Sequence, residues 1–115
     1  MKLANDTQAF DAFQHSDFRF LKSMSLSRNV GPNGCSNYDV EVVLSRAAAD
    51  SEQDLRLTCA GASDVKLGDL NGMYAALLSI RDVSSQQLEG INFRVVEGEN
   101  DSFSFSCESF SLELI

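Results

Sequence analysis

Phe103-Ser104-Phe105-Ser106-Cys107-Glu108-Ser109-Phe110-Ser111-Leu112-Glu113-Leu114 decides the fold. Apolar and polar residues alternate along it with the period of two that a strand with one buried and one wet face requires. The alternation carries one fault. Phe103, Phe105 and Cys107 are odd positions, whereas Phe110, Leu112 and Leu114 are even ones. A one-residue slip exchanges the two faces of a strand. Both halves can therefore feed one core only through a bulge or corner near Glu108-Ser109, or by passing from one sheet to another there. The wet side is read as Ser102, Ser104, Ser106, Ser109, Ser111, Glu108 and Glu113, with no lysine or arginine.

The same period recurs upstream. Phe18, Phe20, Met24 and Leu26 share one side of a segment opposite Arg19, Ser23 and Ser25, with Leu21 on the wrong side and Lys22 out of step. A bulge or an open edge is expected there. Gly31-Pro32-Asn33-Gly34 is the strongest turn signal. Tyr38, Val40, Val42 and Leu44 alternate with Asp39, Glu41 and Ser45, and Ala47–Ala49 extends this strand before a polar turn at Asp50–Gln53. Leu55, Leu57 and Cys59 form the return strand of a hairpin, and Val65 and Leu67 a short further strand beyond a break at Gly61. Residues 70–83 fit a helical stripe through Leu70, Met73, Tyr74, Leu77 and Leu78, and equally a strand face through Tyr74, Ala76, Leu78 and Ile80. Gly72 weakens the helix and the β-branched Ile80 and Val83 favour a strand, which is the reading taken for 75–83. Ile91, Phe93 and Val95 make another, followed by a turn at Glu97–Asp101. Before all of these, Asp6 or Thr7 caps a short helix with Ala9, Phe10 and Phe13 on one face.

The expected fold is mainly β, α+β at most. It is a single-domain antiparallel β-sandwich or strongly curled sheet of seven or eight strands with a short N-terminal helix, one domain over 1–115. With 43% hydrophobic residues and eight phenylalanines, the chain is long enough to bury a core without metal or disulfide staples. The apolar run Met73–Leu78 is far too short for a membrane span, so no membrane partner is expected. Met1-Lys2-Leu3-Ala4-Asn5-Asp6 lacks the apolar core of a signal peptide. Cys35, Cys59 and Cys107 have no paired spacing and read as reduced thiols, which together points to a cytoplasmic protein.

Net charge is −8, from 17 acids and 9 bases. Residues 1–60 carry eight acids and six bases, residues 61–115 nine acids and three bases. From Asp82 onward Arg94 is the only base. Such a chain repels nucleic acid and attracts a basic partner.

Reaction chemistry is sparse. His15, beside Ser16-Asp17, is the only histidine, and three neighbouring residues cannot converge as a catalytic triad. No Cys or His pair has zinc spacing. Glu97-Gly98-Glu99-Asn100-Asp101 places carboxylates at alternate positions but lacks the inner glycine and later glutamate of a calcium loop, and reads as a solvated turn. Pairs such as Asp50/Glu52 and Glu97/Glu99 read as exposed turn residues. Gly31–Gly34 has no lysine and no helix behind it, so it is no phosphate loop. No cofactor and no enzymatic activity are expected.

A resemblance sharpens this. The order Phe13-Gln14-His15-Ser16-Asp17, Tyr38-Asp39-Val40-Glu41-Val42, Leu55-Arg56-Leu57-Thr58-Cys59-Ala60-Gly61-Ala62, Leu78-Ser79-Ile80-Arg81-Asp82-Val83, Leu88-Glu89-Gly90-Ile91-Asn92-Phe93-Arg94-Val95 and Phe103-Ser104-Phe105-Ser106-Cys107 resembles small bacterial β-rich immunity proteins of polymorphic and contact-dependent toxin systems. The resemblance covers nearly the whole chain and implies an inhibitor of a cognate toxin domain in the producing cell's cytoplasm. It carries over no catalytic and no contact residue.

The expected function is therefore neutralisation of a cognate, basic, nuclease-type toxin by covering its cleft. The candidate partner-binding acids are Asp39, Glu41, Glu97, Glu99, Asp101, Glu108 and Glu113. The alternative is a small accessory domain that forms a homodimer through its serine-rich strand face or an open edge.

Overall fold

The structure is a computed structural model that describes residues 2–13, 18–28, 30–32, 34–35, 38–46, 53–70, 75–86, 89–98 and 101–115. In chain order its elements are β1 (Lys2–Ala4), α1 (Thr7–Ala12), β2 (Phe20–Ser27), β3 (Val30–Gly31), β4 (Gly34–Cys35), β5 (Tyr38–Ser45), β6 (Asp54–Leu67), β7 (Leu78–Asp82), a 3-10 turn at Ser84–Gln86, β8 (Phe93–Glu97), β9 (Phe103–Cys107) and β10 (Ser109–Leu114). The expected helix forms with Asp6 as its cap, the Ala9 amide donating to Asp6 Oδ1 at 2.7 Å. At the expected Gly31–Gly34 turn, β3 pairs with β4, Gly31 opposite Gly34, and the two pair only with each other among the described residues; Asn33 lies outside these.

The other eight strands form one antiparallel sheet. Its spine is β6 against β9 and β10, which follow one another along the same edge with Glu108 between them. The first part of β6 pairs with β5 on one side and β10 on the other, giving a large lobe in the order β2-β5-β6-β10-β1. The second part pairs with β9, giving a small lobe in the order β6-β9-β8-β7. Of the two expected architectures, the curled sheet is the one that forms.

The corner falls where the parity fault lies. Phe103, Phe105 and Cys107 are buried before Glu108, and Phe110 and Leu112 after it. β6 changes parity opposite, from buried Cys59 to buried Ala62. Gly61 makes this possible with φ +67°, where a Cβ would also stand 3.0 Å from Glu108 Cβ. Any side chain there meets both an unfavourable backbone and a closed gap. Gly61 therefore bends the strand without ending it. The expected break, with a separate strand at Val65 and Leu67, is corrected to one strand of 14 residues.

Curling brings the far ends of the sheet together. The Ala76 amide, just before β7, donates to the Arg19 carbonyl, just before β2, at 2.6 Å. One apolar cluster fills the concave side, drawn from α1, both lobes and Phe18. Phe110 ties its parts, meeting Phe10 of α1 at 6.3 Å and Phe93 of β8 at 4.9 Å, both edge-on. Such pairs add about 0.5–1.5 kcal/mol each beyond simple burial. Cys59 and Cys107 sit in this core as free thiols. A hydrogen bond to Cys107, then burial, keeps the Cys59 thiol protonated.

At β2 the expected irregularity is a register shift between Leu21 and Ser23. It reverses the faces assigned before it. Leu21 opposes Leu44 and packs on the core, while Phe20 opposes Ser45. β7 confirms the strand reading of 75–83 in its central part. Residues 71–74, Ala47–Ala49, the acids Asp50 and Glu52, and His15 with its neighbours lie outside the described residues.

Candidate functional site

Because opposite residues of an antiparallel pair share a face, the register of the large lobe dictates its outer surface. One row reads Ser25, Glu41, Thr58, Ser111, and the row beside it Ser23, Val43, Arg56, Glu113. Toward the corner come Ser27 and Asp39, then Ala60 and Ser109. Glu108 stands exposed at the corner itself. Four of the seven candidate acids, Asp39, Glu41, Glu108 and Glu113, are thus gathered on or beside one convex face made of four strands.

These four differ in freedom. Glu113 Oε1 accepts from Arg56 Nη2 at 2.7 Å and Nε at 3.1 Å. That hydrogen bond holds the Arg56 guanidinium above its ordinary pKa, with smaller attractions from Glu113 and Glu41 as charges. Asp39 is exposed, with Oδ1 accepting from the Gly61 amide at 3.3 Å. Glu41 and Glu108 have no side-chain hydrogen bond or ion pair among the described residues. The face therefore presents three carboxylates set among short hydroxyl side chains, with its central base already engaged.

The remaining candidates go elsewhere. Asp101 is exposed at φ 54°, beside Lys66 and Gly68 at the far end of the small lobe. Glu99 lies outside the described residues. Glu97 is a correction. It closes β8 with 0% exposure, and its carboxylate accepts from the Leu77 amide at 3.0 Å, the Ser102 amide at 3.1 Å and Ser102 Oγ at 2.8 Å. A buried carboxylate persists only when so satisfied, and it fastens the β8–β9 connection to the entry of β7. It is neither an exposed contact nor a calcium ligand. The wet serine face is corrected likewise. Ser102 is 2% exposed and Ser106 6%, because the first serves Glu97 and the second lies under Arg94.

Among the described residues no group of three His, Cys, Asp or Glu side chains could hold a metal ion. Cys59 and Cys107 are both buried at 0% exposure, out of reach of a substrate in solution. A second feature lies at the mouth of the curled sheet. A groove of about 320 Å³ runs beside Met24, Leu26, Leu67 and Leu70. Leu26 is 45% exposed and Leu67 60%, and no described strand pairs with the outer edge of β2.

A polar outer face of this kind is common on antiparallel sheets, and here it is also the surface that carries the spaced carboxylates with which a second macromolecule can be met. A protein that binds by such a surface agrees with what the chain is similar to. The family model described as Immunity protein PIM8 matches residues 2–113, so the chain belongs to this family of immunity proteins. Membership implies an inhibitor with a cognate toxin as its partner. No curated protein and no solved structure gives a significant match.

Proposed function

We propose that this protein neutralises its cognate toxin in the cytoplasm by seating the acidic convex face of the large lobe in the toxin's active cleft, and that the toxin is basic and of nuclease type. One observation carries this reading. Asp39, Glu41 and Glu108 converge around the corner while Arg56, the base central to that face, is occupied by Glu113. Spaced carboxylates imitate the phosphates that a nuclease cleft binds, and pair with the same lysines and arginines. The intervening serines are short and lose little entropy when covered. The same charge disfavours direct binding of nucleic acid. Family membership supports the inhibitory role.

The test is direct. Nuclease activity of the cognate toxin domain is measured with increasing amounts of the protein. Full inhibition near one equivalent is expected. A toxin that stays active in excess protein contradicts the immunity role, and an inhibited toxin without nuclease activity contradicts only its class.

The apolar groove favours a second reading, a homodimer joined edge to edge through β2. The half of this edge beyond the bulge, Ser23-Met24-Ser25-Leu26-Ser27, carries no charge to keep it single. Sedimentation of the isolated protein over a range of concentrations decides it. A concentration-dependent dimer that Leu26→Lys abolishes supports this reading, and a monomer throughout excludes it.

A further inference from the structure

The outer face of the small lobe carries the opposite charge. Arg81 lies directly opposite Arg94, Arg94 opposite Ser106, and Ser106 opposite Ser63. The neighbouring row is Ser79, Val96, Ser104 and Lys66. Lys66, Arg81 and Arg94 are all the bases of residues 61–115. The half of the chain with the larger acidic excess thus places all its positive charge on one strip. Of its acids, Glu97 is buried and Asp82 accepts from Ser84 Oγ and N, while Asp64 pairs with Arg94 and Asp101 stands beside Lys66. Among the described residues, the one ion pair of the strip joins Arg94 to Asp64 at 3.5 Å.

Two features make this more than scattered charge. Arg94 is fixed in place, with Nη1 donating to Ser106 Oγ at 3.1 Å and Nη2 to Ser104 Oγ at 3.2 Å. Arg81, its exposed cross-strand neighbour, has no ion-pair partner among the described residues. Arg94 reaches away from β7 toward Ser104, Ser106 and Asp64, so an incoming carboxylate pairs first with Arg81, whose side chain has no ion-pair partner among the described residues. A polyanion fits less well, because Asp64 and Glu108 flank the strip and the whole chain is at −8. An isolated carboxylate on an otherwise basic partner meets a smaller penalty.

The strip adjoins the acidic face across the corner at Gly61 and Glu108, so a partner straddling the corner touches both. We propose that Arg81 and Arg94, with Lys66 in the next row, receive a carboxylate-bearing segment of the cognate toxin. The toxin surface that fits this protein is then basic against the large lobe and acidic against the small lobe. This rests on the acidic face being the toxin contact, and adds a polarity that fixes the orientation of docking.

The sign of one charge change tests it. Association of the cognate toxin domain is timed by stopped flow at low salt, with wild-type protein, Arg81→Glu and the uncharged Arg81→Gln. Arg81 is exposed and bonds to nothing described, and thermal melting confirms that each variant is folded. The proposal expects Arg81→Glu to slow association about three- to tenfold and Arg81→Gln to slow it less. If the strip is a bystander, Arg81→Glu only makes the protein more acidic toward a basic toxin, and association speeds up. Faster or unchanged association overturns the proposal. Asp39→Lys with Glu41→Lys, run beside them, reports on the acidic face separately: if these slow association while Arg81→Glu does not, that reading stands and this one falls.

Discussion

Replacing Glu97 with alanine is expected to lower stability by about 3–5 kcal/mol, an effect that surface acids do not approach. The substitution removes a carboxylate with 0% exposure and strips an acceptor from the Leu77 amide, the Ser102 amide and Ser102 Oγ. Buried donors left without partners cost about 1–3 kcal/mol each, and bonds to a charged acceptor are the stronger kind. The loss also frees two connections at once, since Leu77 leads into β7 and Ser102 into β9. Glu97→Gln keeps the volume but turns an amide group toward donors, and should cost less than alanine. Urea unfolding measures both. A midpoint for Glu97→Ala within experimental error of wild type would show that the carboxylate does not fasten these segments.

The second large effect is on recognition. Combined reversal of Asp39, Glu41 and Glu108 to lysine is expected to slow toxin association about 10- to 100-fold at low salt. The three flank the corner from β5 and from the residue linking β9 to β10, so their fields add over one approaching surface. Exposed charges act mainly on the encounter, so dissociation should change much less. The same reversal at Asp11, exposed on the N-terminal helix, serves as the comparison and should have a small effect. Melting curves accompany the triple variant, because Asp39 accepts from the Gly61 amide and Glu108 lies against Gly61.

Much of the fold is legible in the sequence because sheet period is a local property. The shift from odd to even apolar positions at Glu108-Ser109 locates the corner before any coordinates are seen. β-branched Ile80 and Val83 outweigh a competing helical stripe and β7 is a strand. Gly61 misleads, since a glycine that bends a strand and one that ends it look alike without the partner strand. Glu97 misleads for a similar reason. Its surroundings in sequence are those of a turn, and the Leu77 amide that binds it lies twenty residues away. That Glu113 shares a face with Asp39 and Glu41 is legible only once register is known, because Glu113 lies on β10 and the other two on β5. The basic strip is invisible to a net charge summed along the chain. Cross-strand pairing sets Arg81 against Arg94 within the more acidic half of the chain.

The central claim is that a preformed acidic convex surface captures the toxin. The association rate constant with the toxin domain, measured from low to high ionic strength, tests it most directly. Wild-type protein should lose rate steeply as salt rises, and the Asp39, Glu41 and Glu108 triple variant should show a nearly flat dependence. Equal slopes for the two proteins, or a wild-type rate indifferent to salt, would contradict it.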